Sequence, residues 1–410
     1  MQQFEAGAPW RSAAGYVDVY KLYGEWVAYN ATDEQLRQAV TDIDRRGMVL
    51  AVEAGPLDPP SDCGQGVESF AGIDEGRLIA RRIQQAGGRI AVIALAEPYF
   101  YGHVYDGANA CQWDLQRIAR GVAGYVEAMR SIFPELLVGD IEPVPQPVSA
   151  AGLAEWLEAY EAASGEPFAF LDLDVDWSRA GWPELAQDIG GEARARGVPI
   201  GMIYNGGSAP TRGAWIRLAG QRVLDFEAAG EPPDHVVFQS WMVQPDRVLP
   251  DDDRTSFSGL VRRYFEDHQG LGIPTSGPGT NLALGRTARA SSSRADSPPS
   301  GAVDGDFDTL WNSGAGPPGW IEITLDGPRQ IAAIRLTVSQ YPSGSTDHRV
   351  YGRTTGGDLV LLERFRQQTN DGMVLDLEPE TPWSAISAIR IETRASPSWV
   401  AWREIEVIAP

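Results

Sequence analysis

Histidine is scarce in this 410-residue sequence: there are four, at positions 103, 235, 268 and 348, and no two fall at the spacing of a zinc site. The scarcity, with no G-x-S-x-G motif, also argues against hydrolysis by a serine–histidine pair. No G-x-x-x-x-G-K-[ST] turn is present, nor a G-x-G-x-x-G opening a helix, so the common phosphate and dinucleotide cradles are missing. No apolar run approaches a membrane span. The start, MQQFEAGAPWRS, has neither the basic nor the apolar region of a signal peptide, which suits a mature secreted chain or a cytosolic one.

Positive charge is in deficit as well. The net charge is −22, with 22 basic against 40 acidic residues up to position 280 and 12 against 16 from Asn281 onward. Such a surface repels phosphate backbones, so nucleic acid is not an expected partner. Neutral polar ligands fit better, carbohydrate foremost. Cysteine is limited to Cys63 in SDCGQG and Cys111 in GANACQW, both among turn formers. They read either as two unrelated thiols or as one disulfide tying two loops. The disulfide is the expectation, and with it an oxidising, secreted or extracellular location.

What the sequence does contain is a repeated alternation. Strand-like runs, YVDVYKL (16–22), MVLAVEAG (48–55), RIAVIALAEP (89–98), LLVGDIEP (136–143), FAFLDLDVDW (168–177), PIGMIYNGG (199–207) and HVVFQSW (235–241), are separated by helix-like stretches at 33–46, 74–86, 113–131, 151–163, 183–196 and 257–266. This predicts parallel strands with helices packed outside, an α/β domain of TIM-like (β/α)₈ barrel type over residues 1–267, with the eighth strand unplaced. HQGLGIPTSGPGT (268–280) reads as a linker. Beyond it, over 281–410, short strand-like runs separated by turn residues predict an all-β jelly-roll or sandwich domain.

Within that C-terminal part, NLALGRTARASSS (281–293), GAVDGDFDTLWNSG (301–314), GWIEITL (319–325), IAAIRL (331–336) and REIEVI (403–408) follow one another in order. The stretch resembles the discoidin-like, coagulation-factor C-type domain, which among carbohydrate-active enzymes is carbohydrate-binding module family 32. AVDGDFDTLW is also a tight acidic turn of hard oxygen ligands, which suits Ca²⁺. The resemblance implies a structural calcium held by the Gly301 carbonyl, Asp304, Asp306, Thr309 and Glu404. It also implies a glycan site at one end of the sandwich, with Trp399 stacking on the sugar and His348 and Arg349 as polar partners. Trp311 and Trp320 are expected in the core.

Acidic residues collect at the C-terminal ends of the predicted barrel strands, the end where such barrels do chemistry. Glu53, Glu97, the pair Asp140 and Glu142, and Asp172, Asp174 and Asp176 are the candidates, with Asn205, Gln239 and Trp241 completing the ring. Side chains two apart on a strand share a face. Asp140 and Glu142 are therefore expected together on the barrel's inner face, as are the three Asp of FAFLDLDVDW. Lys21 is the one inward cation to balance them, expected opposite Asp172. Such crowding splits pKa values and can supply an acid and a base at one pH. Asp-x-Glu at the end of strand 4 resembles barrel glycosidases of the chitinase and lysozyme-like kinds. The resemblance implies Glu142 as acid with the neighbouring Asp140 assisting; from their places at the strand ends, Glu97 or Asp174 are alternative partners, and Glu53, Asp172, Asp176, Asn205, Gln239 and Trp241 are expected to line the substrate.

The leading expectation is a glycoside hydrolase with an appended carbohydrate-binding module, using no cofactor for catalysis. The alternative is a non-catalytic carbohydrate-binding or adhesion protein with a degenerate barrel. A metal-dependent hydrolase is a third reading, from the clustered Asp alone.

Overall fold

In the computed structural model, residues 1–144, 147–272 and 279–410 are described, with the side chains of Gln269 and Gly270 left aside. Of the linker expected over 268–280, residues 273–278 lie outside the described residues. Seven strands form one parallel sheet in chain order: β1 (Val19–Tyr23), β2 (Val49–Ala54), β3 (Val92–Ala96), β4 (Leu137–Val144), β5 (Leu171–Val175), β6 (Ile200–Tyr204) and β7 (His235–Phe238). Each coincides with a predicted run, β1 and β4 extending one residue past theirs. The helices are α1 (Arg11–Ala14), α2 (Asp33–Arg45), α3 (Gly72–Gln85), α4 (Leu115–Arg130), α5 (Ala150–Ser164), α6 (Trp182–Ala195), α7 (Arg212–Ala229) and α8 (Phe257–Glu266).

Local chemistry sets the helix ends. Thr32 and Gln35 close a reciprocal capping box on α2, and the Asp114 and Ser149 side chains cap α4 and α5. Gly165 ends α5 in the left-handed region. The helix α7 was not expected from the sequence. Its apolar residues, from Ala214 to Phe226, are buried around most of its circumference, so no polar face gives it an amphipathic period.

The sheet is strongly curled. Gln239, just past β7, donates its amide to Glu53 on β2 at 3.1 Å, a contact over four intervening strands that a flat sheet would forbid. The concave face carries a small apolar floor of Ala94, Ile141 and Ile203, with Phe170 and Val237 packed on it. Gly139 and Gly201 admit no larger residue there. A Cβ on the first would overlap the Phe170 ring, and one on the second would overlap Asp172 and His235. Among the described residues no eighth strand joins β7 to β1.

Two antiparallel sheets make up the C-terminal sandwich. One has five strands, in the order β13 (Leu359–Thr369), β12 (Gly344–Thr354), β15 (Trp383–Ala395), β10 (Gly319–Ile331), β8 (Ala288–Ala290). The other has four, β14 (Val374–Leu377), β11 (Ala333–Val338), β16 (Ala401–Ile408), β9 (Trp311–Asn312). On β10, Ile321 and Ile323 point in while Trp320 and Glu322 point out, the alternation of a strand with one wet face. Ile389, Ile391, Leu336, Trp402 and Ile405 complete the core between the sheets. Trp311 is buried there, whereas Trp320 lies outside under the Arg390 guanidinium.

Contacts divide the chain into two units, Met1–Asn205 with Arg222–Gln239 and Arg247–Leu271, and Gly206–Gln221 with Ser240–Asp246 and Gly272–Pro410. The division falls inside α7. Among the described residues no helix is long and apolar enough to cross a membrane.

Candidate functional site

Strand register shows which carboxylates meet. Asp140 pairs with Leu95 and Leu171, on the helix-facing side, while Ile141 pairs with Ala96 and Asp172 on the concave side. Asp140 and Glu142 do share a face, but it is the opposite of the expected one. Both are fully buried between sheet and helices. Asp140 Oδ2 accepts the indole N–H of Trp156 on α5 at 2.6 Å. Glu142 accepts the backbone N–H of Tyr99 at 2.6 Å and of Phe100 at 2.9 Å. Neither carboxylate reaches the mouth of the sheet. Glu142 instead anchors the corner that follows β3.

That corner carries Glu97. Its φ of +58° is a left-handed conformation that non-glycine residues rarely adopt and that costs about 1–3 kcal/mol. Hydrogen bonds from its N–H to Ile141 and Leu95 carbonyls hold the corner. Glu97 is 9% exposed. Burial, and then the charges of Glu68, Asp174, Glu53 and Asp140, push its carboxyl well above the usual range. Asp174 on β5 is pushed up to about 7, by burial first and then by Glu53, with Lys21 opposing. Glu53 is ion-paired to Lys21 at 2.5 Å. Lys21 is the only lysine in the chain, and it sits on Glu53 rather than on the expected Asp172.

Asp172 has another partner. Its Oδ1 lies 2.6 Å from His235 Nε2, deep on the concave face. Burial works against the imidazolium, but the Asp172 hydrogen bond and charge outweigh it and raise the His235 pKa. The pair is a satisfied brace below the cluster. Asp176 lies beyond β5 and is exposed, accepting from the Ser178 N–H at 3.1 Å and hydroxyl at 2.6 Å in a local turn. Asn205 Oδ1 accepts the Trp177 indole N–H at 2.9 Å, so it braces a loop. Gln239 belongs to the cluster through Glu53. Trp241 is exposed in the segment after β7.

Three participants, Glu68, Tyr101 and Tyr23, were not foreseen. Glu68, from the loop after β2, lies beside the Tyr101 hydroxyl and adds its charge to Glu97. Tyr23, at the end of β1, stands next to Glu53 and Gln239. The Cys63–Cys111 disulfide, Cα atoms 5.2 Å apart, joins the loop bearing Glu68 to the loop bearing Tyr101. The signal for Glu68 was weak, since it lies in a Gly- and Pro-rich stretch with no period. The concave face thus gathers Glu53, Glu68, Glu97 and Asp174 with Lys21, Tyr23, Tyr101 and Gln239, an arrangement able to donate and accept protons.

The sandwich carries two further constellations. At the acidic turn, Thr309 Oγ1 lies within 3.0 Å of the Gly301 and Asp306 carbonyls and 2.9 Å from both Asp304 oxygens. A hydroxyl has one proton for these four acceptors. Glu404, 1% exposed, accepts from the Gly305 N–H, and its Oε1 has no partner. Burial, then Asp304 and Glu406, drive its carboxyl well above the usual range. This excess of oxygen acceptors fits a hard cation of the Ca²⁺ kind. Among the described residues, no three Asp, Glu, His or Cys side chains are gathered closely enough to hold an ion by themselves, so the carbonyls and hydroxyl would have to contribute.

Trp399, 42% exposed, lines a hollow with Arg294, Asp296 and Asn312. The expected polar partners are elsewhere. His348 is buried in the sandwich, hydrogen-bonded to Thr393 at 2.9 Å and edge-on to Trp402, and burial pushes its pKa down to about 4. Arg349 emerges on the opposite face beside Asp347. Alternation along β12 puts the two on opposite faces, and neither lines the Trp399 hollow.

Comparison with family models returns no match, and comparison with curated proteins returns none either. About a third of the chain is similar to solved structures. One is the family 32 carbohydrate-binding module from C. perfringens NanJ in complex with galactose, 20% identical, covering 31% of this chain and 96% of that one, TM-score 0.28. Another is chitosan-binding module 1 from a Paenibacillus sp. chitosanase/glucanase, 24% identical, covering 32% and 98%, TM-score 0.27. A third is a fucose-binding module of Streptococcus pneumoniae, 17% identical, covering 32% and 96%, TM-score 0.28.

Proposed function

We propose that the chain is a secreted glycoside hydrolase whose chemistry resides on the concave face of the parallel sheet, with Glu97 as general acid. The observation that carries this reading is the backbone of Glu97. A strained, left-handed residue turns an otherwise unpartnered carboxyl into a cluster of three others. Burial and like charge keep such a carboxyl protonated, the state needed to protonate a glycosidic oxygen. Asp174 or the ion-paired Glu53 is the second carboxylate that glycoside cleavage requires, as nucleophile or as base for water. Asp140 and Glu142 act by packing: they hold the corner on which Glu97 sits.

The finer architecture belongs to the same reading. Residues 1–267 form a barrel, closed between β7 and β1 by irregular chain. Its support is Asp251, which donates its N–H to the Pro9 carbonyl at 2.9 Å and accepts the Ala13 N–H at 2.9 Å. Residues 281–410 form a discoidin-like carbohydrate-binding module. The ordered motifs of its sequence and its two-sheet architecture support this, with Trp399 as the stacking face and Ca²⁺ at Asp304, Thr309 and Glu404. The disulfide supports an oxidising, extracellular setting. A hydrolysis screen of glycans with wild type beside Glu97→Gln tests the proposal: cleavage by wild type alone supports it, and no cleavage by either removes it.

A further inference from the structure

Apart from Glu97, which burial and like charge keep protonated, the concave face sets the carboxylates of Glu53, Glu68 and Asp174 against one cation, Lys21. Glu97, nine-tenths buried, takes no hydrogen bond or ion pair from any described residue, and the groups acting on it are all acidic. Gln239, equally buried, donates its amide N–H to Glu53 and leaves Oε1 without a partner. Lys21 is already paired with Glu53.

A ligand for such a face must bring donors and positive charge. A sugar hydroxyl brings a donor but also an acceptor, whereas an ammonium brings three donors, a charge and no acceptor. We infer that the glycan taken by this site carries protonated primary amines: it is an amino-sugar polymer with free rather than acetylated nitrogens. This rests on the hydrolase reading above and names its substrate class. Acetylation would remove the charge and turn a carbonyl acceptor toward the carboxylates, so the site rejects the acetylated sugar as well as attracting the free one. Tyr23, 39% exposed beside Glu53, adds an aromatic ring of the kind that attracts such a cation. The excess of acidic over basic residues up to position 280, 40 against 22, would draw a polycation toward the site.

The test uses the full chain carrying Trp399→Ala, so that the proposed sandwich site does not contribute. Oligomers of glucosamine and of galactosamine, each as free amine and fully N-acetylated, are assayed for cleavage by mass spectrometry and for binding by calorimetry. The expectation is that free-amine oligomers are cut and bound at least about tenfold better, the scale of a partly desolvated charge pair, and that Glu53→Gln and added salt weaken their binding. Cleavage of the acetylated oligomers at equal or greater rate would overturn the inference and leave the hydrolase reading standing. Selective binding of the free amines without cleavage by the protein or its Trp399 parent would sustain the inference and overturn the hydrolase reading. Absence of both binding and cleavage of free-amine oligomers would overturn the inference outright.

Discussion

Trp156 on α5 donates its indole N–H to Asp140 at 2.6 Å, which places this carboxylate and, two residues on, Glu142 behind the sheet rather than on its concave face. Both are then structural. Replacing Glu142 by Gln sets an amide N–H₂ against a backbone N–H that now donates to a carboxylate, and should lower stability by about 1–3 kcal/mol. Asp140→Asn keeps an acceptor for Trp156 and should cost less. In both variants the pH–rate profile should keep both its limbs, since the proton donor is unchanged, though Asp140→Asn removes a charge that raises Glu97 and should move that residue's limb down in pH. Denaturant melts and pH–rate curves of the two variants check this.

Asp174 titrates near 7 in the folded protein, raised by burial and by Glu53. If it works as the ionised partner, activity rises with pH through that value and falls again as Glu97 loses its proton. Asp174→Asn should delete the limb near pH 7, whatever it does to the maximum rate. A profile with that limb intact would take Asp174 out of the reaction.

The Asp172–His235 pair predicts a pH dependence of stability. The folded pKa of His235 lies above its usual value of 6.5, so the pair's contribution is complete below about pH 6.5 and is lost as pH rises through the raised value. The melting temperature of wild type should fall relative to His235→Gln across that window, and a constant difference would show the pair to be uncharged.

Calcium should stabilise the sandwich. A chelator should lower the melting temperature of the full chain's sandwich transition, Asp304→Ala should lower it alike, and the two together should add nothing. A melt unchanged by chelator would leave Thr309 and Glu404 without the cation argued for them.

The seven parallel strands were legible because each is an apolar run bounded by turn residues, and the alternation of helix and strand implied a parallel sheet. Alternation also showed that Asp140 and Glu142 share a face. It could not say which face, because a parallel strand is buried on both sides and Ile141 fits the concave floor as well as Asp140 fits the indole of Trp156. The deciding partners are remote in sequence: Tyr99 and Phe100 precede Glu142 by some forty residues. The same reason hid Glu68, whose place depends on the Cys63–Cys111 link. His348 shows the converse error: a polar residue beside Arg349 reads as a ligand, yet alternation on β12 turns it into the core.

The most direct test of the account compares Glu97→Gln with Glu142→Gln on a glycan that wild type cleaves and on a nitrophenyl glycoside of the same sugar. A lost general acid costs roughly 10²–10⁴-fold where the leaving group needs a proton and far less where it does not. Glu97→Gln should show that split, with Glu142→Gln slowed alike on both substrates through the corner it holds. The split appearing in Glu142→Gln, with Glu97→Gln fully active on the glycan, would contradict the account.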